Sequence, residues 1–194
     1  MENIAIYWGA FNPPTIWHKL VIEKLLTQNK VSKIIFSPDW TRKDKDYKIS
    51  DENRIKMLQI FFAELKQRWL NVCFEDYFLK KSWNTTTMEV ENYFTNKLWF
   101  FPYHIFGIDT ISTMPNRVWN DEKYIENKLK KIFINRKWFL LPENIDMQNY
   151  QIFDLNILEI SSTTVREMIK NKMRIDHILT PKVRNYIEEN WLYI

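Results

Sequence analysis

Short apolar runs alternate with longer amphipathic segments along the whole of this 194-residue chain. A short apolar run predicts a buried strand, and apolar residues that recur with the helical period predict an amphipathic helix. Their alternation is typical of a parallel sheet whose strands are joined by crossover helices. The predicted strands are residues 3–8, 33–37, 71–75, 100–106, 131–135 and 152–159, and the predicted helices are residues 16–28, 51–67, 86–96, 120–129, 163–171 and 181–189.

The composition limits the class of protein. A hydrophobic content of 45% is enough for one sizeable core, so we expect a single domain over residues 1–194. Lys and Arg number 28 against 24 Asp and Glu, which is the balance of an ordinary solvated surface, and we expect no nucleic-acid partner. No apolar run is long enough to span a bilayer, and the single cysteine, Cys73, has no intrachain disulfide partner. We therefore expect a cytoplasmic protein without membrane contact.

Only two glycines occur in the chain, Gly9 and Gly107, and each follows an apolar run that predicts a strand. Average usage would supply about 7% glycine, so a chain this poor in it is expected to keep glycine where φ is positive or where a ligand approaches closely. The carboxyl ends of parallel strands share one edge of a sheet, where open α/β sheets bind ligands. Both glycines therefore indicate one binding crevice.

A first motif, GAFNPPTIWH at residues 9–18, links the first predicted strand to the first predicted helix. Consecutive prolines favour an extended link, and Thr15 is a suitable N-cap residue. His18 is then expected in the first helical turn, where free N–H groups and the positive end of the helix dipole would join its imidazole at an anion. The motif is neither a dinucleotide-binding G-x-G-x-x-G nor a P-loop.

A second motif, ISSTTVR at residues 160–166, places four hydroxyl side chains at the start of a predicted helix. Helix capping alone is one interpretation, because Ser and Thr are favoured at N-caps. Anion binding is the other, with Arg166 one turn into the helix, where a guanidinium can bind phosphate oxygens at two points.

Together the two motifs resemble those of the nucleotidyltransferase superfamily, which transfers an adenylyl or cytidylyl group through an H/T-x-G-H element. The first motif departs from the common pattern at Trp17, where many members have glycine. The resemblance implies an α/β fold with one Rossmann-like doubly wound parallel sheet and helices on both faces. The positions that match the first motif are Gly9, Phe11, Asn12, Pro13, Thr15 and His18.

The same resemblance implies roles on the ATP side. His18 would bond the α-phosphate, Arg166 and the helix start would hold the β- and γ-phosphates, and Thr15 would order the turn. The catalytic residues it implies are thus His18, Arg166 and Thr15. The ATP-binding residues it implies are Gly9, Ala10, Phe11, His18, Ser162, Thr163 and Arg166.

Further segments resemble the nicotinate and nicotinamide mononucleotide adenylyltransferases. Residues 107–109 with Trp119 resemble the G-x-D...W element, in which the aspartate meets a ribose hydroxyl and the tryptophan stacks on the pyridine. Residues 82–88, SWNTTTM, resemble the S-Y-T-x-x-T-L segment that faces the pyridine; alternatively, their threonines only cap the next helix. The mononucleotide-binding residues implied are Trp83, Thr87, Gly107, Asp109 and Trp119.

Smaller matches complete the resemblance. Either Lys43 or Lys45 falls where this family has its loop lysine, and Arg54 with residues 57–58 matches the R-x-x-M-L helix. Arg136 matches an arginine that ends a strand.

The activity implied is transfer of the adenylyl group from ATP to nicotinate or nicotinamide mononucleotide, giving the dinucleotide and pyrophosphate in NAD biosynthesis. The acid and amide substrates both remain open. Mg²⁺ is expected, bound mainly through ATP phosphates, and no protein-bound metal is expected, because His18, His104 and His177 are far apart in the sequence. Alternatives are another small-molecule adenylyltransferase, such as the pantetheine-phosphate enzyme, or a non-catalytic nucleotide-binding or RNA-binding protein on the same scaffold.

Overall fold

The computed structural model of the chain describes residues 3–39, 49–81, 85–110, 122–135, 148–155 and 160–194. Six strands form one sheet in the order β3-β2-β1-β4-β5-β6, with every neighbouring pair parallel. This is the strand order of doubly wound nucleotide-binding sheets, so the predicted fold class is confirmed. The strands are β1 (Ile4–Gly9), β2 (Lys33–Pro38), β3 (Val72–Phe74), β4 (Tyr103–Gly107), β5 (Lys130–Ile134) and β6 (Tyr150–Phe153).

Within the described ranges, six α-helices lie between or after the strands, close to their predicted positions. The largest difference concerns β6, predicted over 152–159, which begins at Tyr150 and ends at Phe153, while residues 156–159 lie outside the described part of the chain. A short 3₁₀ helix, Tyr77–Lys80, was not predicted. The helices are α1 (Ile16–Thr27), α2 (Asp51–Lys66), α3 (Thr87–Leu98), α4 (Glu122–Asn127), α5 (Ser162–Lys170) and α6 (Pro181–Glu189).

Apolar side chains cover both faces of the sheet, because alternate residues of a strand point to opposite sides. Ala5 and Tyr7 of β1 belong to a core built with residues of α1, α2 and α6. Ile4 and Ile6 belong to a second core on the other face, built with residues of α3. Among the described helices, none combines the length and the hydrophobicity needed to cross a membrane.

The two glycines meet at one edge of the sheet, as predicted. The parallel register of β1 with β4 pairs Tyr7 with Ile105. Gly9 and Gly107 each follow that pair by two residues and end their strands. Because β2 and β4 flank β1 on opposite sides, this edge is the switch point at which doubly wound sheets bind ligands.

Of the two reasons expected for glycine, positive φ does not apply, because neither glycine has a positive φ; the close approach of a ligand stays a prediction. In three places a tryptophan near a helix C-terminus takes the left-handed conformation instead: Trp69, Trp99 and Trp191 have φ of 58°, 63° and 51°. All three side chains are exposed, so packing around them does not enforce this conformation, whose intrinsic cost is about 1–2 kcal/mol.

Replacing Trp99 tests that cost. Its side chain is 92% exposed and its backbone forms the C-cap of α3. Both Trp99→Gly and Trp99→Ala remove the indole, but only glycine relieves the left-handed strain. Because glycine also loses more backbone entropy on folding, we expect the net gain in stability of Trp99→Gly over Trp99→Ala to be about 0.5–1 kcal/mol. Urea unfolding of the two variants measures the difference, and equal midpoints would contradict the explanation.

Candidate active site

The turn after β1, residues 9–13, is held by its carbonyl oxygens; it is called the β1 turn below. Asp39 N–H donates to the Gly9 oxygen at 2.9 Å. Arg54 of α2 donates to the Ala10 oxygen from Nε at 3.0 Å and from Nη2 at 2.9 Å. Arg54 Nη2 also donates to the Asp39 oxygen. A guanidinium that is 2% exposed thus ties the ends of β1 and β2 together.

These bonds determine the direction of the N–H groups of the β1 turn. In a trans peptide unit the C=O and the following N–H point in opposite directions, and the peptide bonds before Ala10 and Phe11 are trans. The Ala10 N–H therefore points away from Asp39, and the Phe11 N–H points away from Arg54. Neither N–H donates to another group within the described residues, so both are available to an anion in the crevice.

Phe11 carries the strain of the β1 turn. Its φ is 45°, a conformation that costs a non-glycine residue about 1–3 kcal/mol and persists only where the surroundings enforce it. The ring is 4% exposed and packs edge-on against Tyr7 and His18, with centroids 5.1 and 5.0 Å away. Phe11 can therefore meet a ligand through its backbone, while its ring supports the imidazole.

Neither the φ of residue 9 nor the packing around it requires a glycine at this position. A Cβ at this position would lie 3.4 Å from the Phe11 ring, an ordinary contact distance. Close approach of a ligand to Gly9 stays a prediction.

Thr15 and His18 form the capping box of α1, as the sequence predicted for the cap and the first turn. The Thr15 N–H donates to His18 Nδ1 at 2.9 Å, and Thr15 Oγ1 lies 2.9 Å from the same nitrogen. Because a backbone N–H can only donate, Nδ1 is the acceptor and the proton of the neutral imidazole is on Nε2. Thr15 is fully buried, so it acts on His18 rather than on a ligand.

The expectation of free N–H groups at the start of α1 needs correction. Ile16 N–H donates to the Ile178 oxygen at 2.9 Å, and His18 N–H points at Thr15 Oγ1 at 3.5 Å. The C-terminal segment therefore takes one of the donors that the sequence assigned to an anion. The Trp17 N–H, in the first turn of α1, donates to no group within the described residues. The start of α1 therefore keeps one available donor, and the β1 turn and α5 provide the others.

The start of α5 lies against the β1 turn. Ser161 is its N-cap, so the capping interpretation holds for that residue. The N–H groups of Ser162 and Thr163 make no hydrogen bond within the described residues. Arg166 donates from Nη1 to the Asn12 oxygen at 2.7 Å and from Nη2 to Thr163 Oγ1 at 3.2 Å.

Ser162 differs from the expectation for a phosphate ligand. Its hydroxyl donates to the Pro13 oxygen at 2.8 Å, so its proton is used within the protein and its backbone N–H is the donor left for an anion. The Asn12–Pro13 peptide bond, within the motif, is cis.

The predicted mononucleotide side follows β4 on the other flank of β1. Asp109 is exposed, and Thr110 Oγ1 donates back to the Gly107 oxygen at 2.6 Å. Thr86 is the N-cap of α3 and forms a capping box with Glu89, as the capping interpretation predicted. Thr87 is buried, and its N–H, at the start of α3, donates to no group within the described residues.

Several predicted residues lie outside the described part of the chain. They are Lys43, Lys45, Trp83, Trp119 and Arg136.

Of the other histidines, His177 is exposed, and His104 is buried with its Nε2 2.6 Å from Glu91 Oε2 on the α3 face of the sheet. Among the described residues no group of three or more His, Cys, Asp or Glu side chains could hold a metal ion.

Two contributions were missed by sequence reasoning. Arg54 was identified only as part of a helix pattern, and its bonds to backbone oxygens leave no trace in the sequence. Tyr193, near the C-terminus, donates its hydroxyl to Asn12 Oδ1. Burial raises the pKa of the Tyr193 phenol, so the group remains a donor at neutral pH.

Comparison with known proteins identifies the family to which the chain is similar. The family model described as cytidylyltransferase-like matches residues 6–168. The chain is 28% identical over 198 residues to the nicotinate-nucleotide adenylyltransferase of Bacillus subtilis, covering 100% of this chain and 99% of that protein. It is 30% identical over 207 residues to the probable nicotinate-nucleotide adenylyltransferase of Flavobacterium psychrophilum, covering 98% of each.

A solved structure is also similar. It is the Plasmodium falciparum nicotinic acid mononucleotide adenylyltransferase complexed with NaAD, with a TM-score of 0.83 and 23% identity. The match covers 100% of this chain and 98% of that one. At this identity the likeness shows a common fold.

Arg54→Lys tests the clamp on the β1 turn. Lysine keeps the charge but cannot reproduce the planar contact with two carbonyl oxygens, so we expect a loss of about 2–3 kcal/mol in the free energy of unfolding. Arg68→Lys is the matched control, because Arg68 is exposed and pairs with Glu23 at the surface; we expect it to cost less than about 1 kcal/mol. Urea unfolding measures both, and similar losses would contradict the clamp.

Proposed function

Because the chain belongs to the cytidylyltransferase-like family, and within it to the nicotinate-nucleotide adenylyltransferases, we propose that it transfers the adenylyl group of ATP to nicotinate mononucleotide. The products are the dinucleotide and pyrophosphate, a step of NAD biosynthesis. The observation that carries the proposal is the convergence of the β1 turn, His18 and the start of α5 at the switch point of the sheet, beside the loop that follows Gly107.

The ATP phosphates occupy the side of the crevice formed by the β1 turn and α5. The N–H groups of Ala10, Phe11, Ser162 and Thr163 donate to phosphate oxygens. Preorganised backbone donors of this kind stabilise charge without reorganising during the reaction. The helix dipole of α5 adds to the attraction, since its positive end faces the anion.

His18 and Arg166 act on the reacting phosphates. With Nδ1 engaged by Thr15, His18 presents its Nε2–H to the α-phosphate and stabilises the charge that develops during transfer. Arg166 is held at Asn12 and Thr163, and its guanidinium binds the β- and γ-phosphates. The 5′-phosphate of the mononucleotide attacks the α-phosphorus in line, and pyrophosphate leaves, so no covalent intermediate with the protein is needed.

Nicotinate mononucleotide lies on the β4 side of the crevice. Asp109 accepts hydrogen bonds from ribose hydroxyls, and Trp119 and Trp83 contact the pyridine. The N–H of Thr87 and the positive end of the α3 dipole favour an anion, which supports the carboxylate of nicotinate over the neutral amide of nicotinamide. Arg136 and one lysine, Lys43 or Lys45, are further proposed contacts.

Mg²⁺ accompanies ATP in this proposal. Among the described residues, the phosphate side of the crevice offers N–H groups, a guanidinium and an imidazole whose Nδ1 is engaged and whose Nε2 carries the proton. In this state these groups donate hydrogen bonds and do not ligate a hard cation. Mg²⁺ suits phosphate oxygens and water, so these hold the ion, and it neutralises part of the phosphate charge. We also propose a cytoplasmic location, where ATP and the mononucleotide are available.

The proposal is tested by steady-state rates of the wild-type protein with ATP and one of three acceptors. We expect dinucleotide formation with nicotinate mononucleotide, a lower kcat/KM with nicotinamide mononucleotide, and no transfer to 4′-phosphopantetheine. Product is identified by chromatography and mass spectrometry. Transfer to phosphopantetheine, or ATP binding without any transfer, would contradict the proposal.

The His18→Ala variant tests whether the reaction takes place at this site. We expect kcat to fall by at least about 10²-fold, the scale for removing one positioned charge-stabilising donor. The exposed His177→Ala serves as the matched control and should keep wild-type turnover. A folded His18→Ala protein with near-normal kcat would refute the role of His18.

Asp109→Ala separates the two sides of the crevice. We expect the mononucleotide to bind more weakly by about 1.5–3 kcal/mol, the range for a hydrogen bond to a charged group, with ATP affinity almost unchanged. Trp119→Ala should weaken the mononucleotide in the same selective way through lost stacking. Calorimetric titration with each substrate measures these effects.

The matched control for Asp109→Ala is Asp154→Ala. Asp154 follows β6 at the same edge of the sheet and bonds Asn135, so its loss should affect neither substrate. A loss confined to ATP in Asp109→Ala would mean that the two sides have been assigned in reverse.

A further inference from the structure

The C-terminal turn, residues 190–193, reaches back to the β1 turn. Tyr193 is 7% exposed, and its hydroxyl donates to Asn12 Oδ1. The Sδ atom of Met57 lies 3.9 Å from the same hydroxyl. Met57 is three residues after Arg54 and therefore lies on the same side of α2. Two elements remote in sequence thus converge on one turn.

Asn12 of the β1 turn accepts the hydrogen bond from the C-terminal turn. It is 1% exposed, and its backbone oxygen accepts from Arg166. Its side-chain oxygen accepts from Tyr193, whereas its Nδ2 has no hydrogen-bond partner in the described part of the chain. The phenol therefore provides the bond that fixes the orientation of this buried amide.

Phe11, next to Asn12, explains why this orientation matters. The positive φ of Phe11 persists only while its neighbours are held in place. Bonds to Ala10 hold the turn on one side of Phe11, and bonds to Asn12 hold it on the other. Loosening Asn12 lets the turn relax and moves the N–H groups that face the crevice.

We propose that Tyr193 is a positioning residue of the nucleotide site: its hydroxyl holds Asn12, and through Asn12 it keeps the N–H groups of the β1 turn in the geometry that binds the ATP phosphates. This role rests on the proposed function in one respect, namely that the nucleotide bound at the β1 turn is ATP. Tyr193 acts through Asn12 and does not touch the substrate.

The chain contains a matched control for this hydrogen bond. The Tyr186 hydroxyl donates to Asn53 Oδ1 at 2.8 Å, joining α6 to α2. Both are bonds from a C-terminal tyrosine to a side-chain amide oxygen, and only the Tyr193 bond ends on the β1 turn. Tyr193→Phe and Tyr186→Phe each remove one oxygen atom and leave the ring.

The experiment compares these two variants in the 194-residue chain. We expect both to lose thermal stability, and Tyr193→Phe to lose more, because Asn12 is buried whereas the Tyr186 bond is only partly buried. Only Tyr193→Phe should bind α,β-methylene-ATP more weakly, by about five- to tenfold, the factor that corresponds to one hydrogen bond. Its KM for ATP should rise while its KM for nicotinate mononucleotide is unchanged. Equal affinity of the two variants for the ATP analogue would overturn the positioning role.

A double-mutant cycle tests whether the effect passes through Asn12. In an Asn12→Ala background, Tyr193→Phe should cause no further loss of affinity for the ATP analogue, whereas independent, additive losses would overturn the proposed route. The binding measurements do not need turnover. Absence of dinucleotide product from the wild type would refute the proposed reaction, and the affinity comparison would still decide the role of Tyr193.

Discussion

The β1 turn is fixed by hydrogen bonds to its backbone oxygens, and the candidate site depends on that constraint. The oxygens of Gly9, Ala10, Asn12 and Pro13 accept from Asp39, Arg54, Arg166 and Ser162. These donors come from the end of β2, from α2 and from α5. Because the peptide plane is rigid, fixing the oxygens of Gly9 and Ala10 directs the following N–H groups into the crevice. A turn left free at its oxygens would have no defined anion site.

Arginine suits this task because of its shape. The guanidinium of Arg54 presents several donors in one plane and bonds the oxygens of Ala10 and Asp39. Burying a charge in this way is costly unless its hydrogen bonds are satisfied. The same contacts hold Phe11 in a left-handed conformation. The buried charge and the left-handed conformation both lower stability, and both occur at the β1 turn. We propose that this turn binds the phosphates, where preorganised donors are useful.

The fold and the capped starts of α1 and α5 could be predicted from the sequence because their signals are local. Apolar periodicity located the strands and helices, and Thr15 and Ser161 are residue types that cap helices wherever they occur. The conformation of the glycines could not be predicted in the same way. The conformational freedom of glycine predicts positive φ, yet exposed tryptophans such as Trp99 take that conformation here while Gly9 does not. Whether a side chain tolerates a left-handed backbone depends partly on the space around it, which the sequence does not contain.

By itself, the sequence determined that a parallel sheet would bring Gly9 and Gly107 to one edge, with His18 in the first turn of a helix beside it. Those features follow from neighbours along the chain and from the geometry of parallel strands. Only the tertiary structure decided which donors remain available to an anion. The Ile16 N–H donates to the Ile178 oxygen, the Ser162 hydroxyl donates to the Pro13 oxygen, and the Tyr193 hydroxyl donates to Asn12 Oδ1. These contacts join residues far apart in sequence, and hydrogen bonds of that range are set by packing rather than by local pattern.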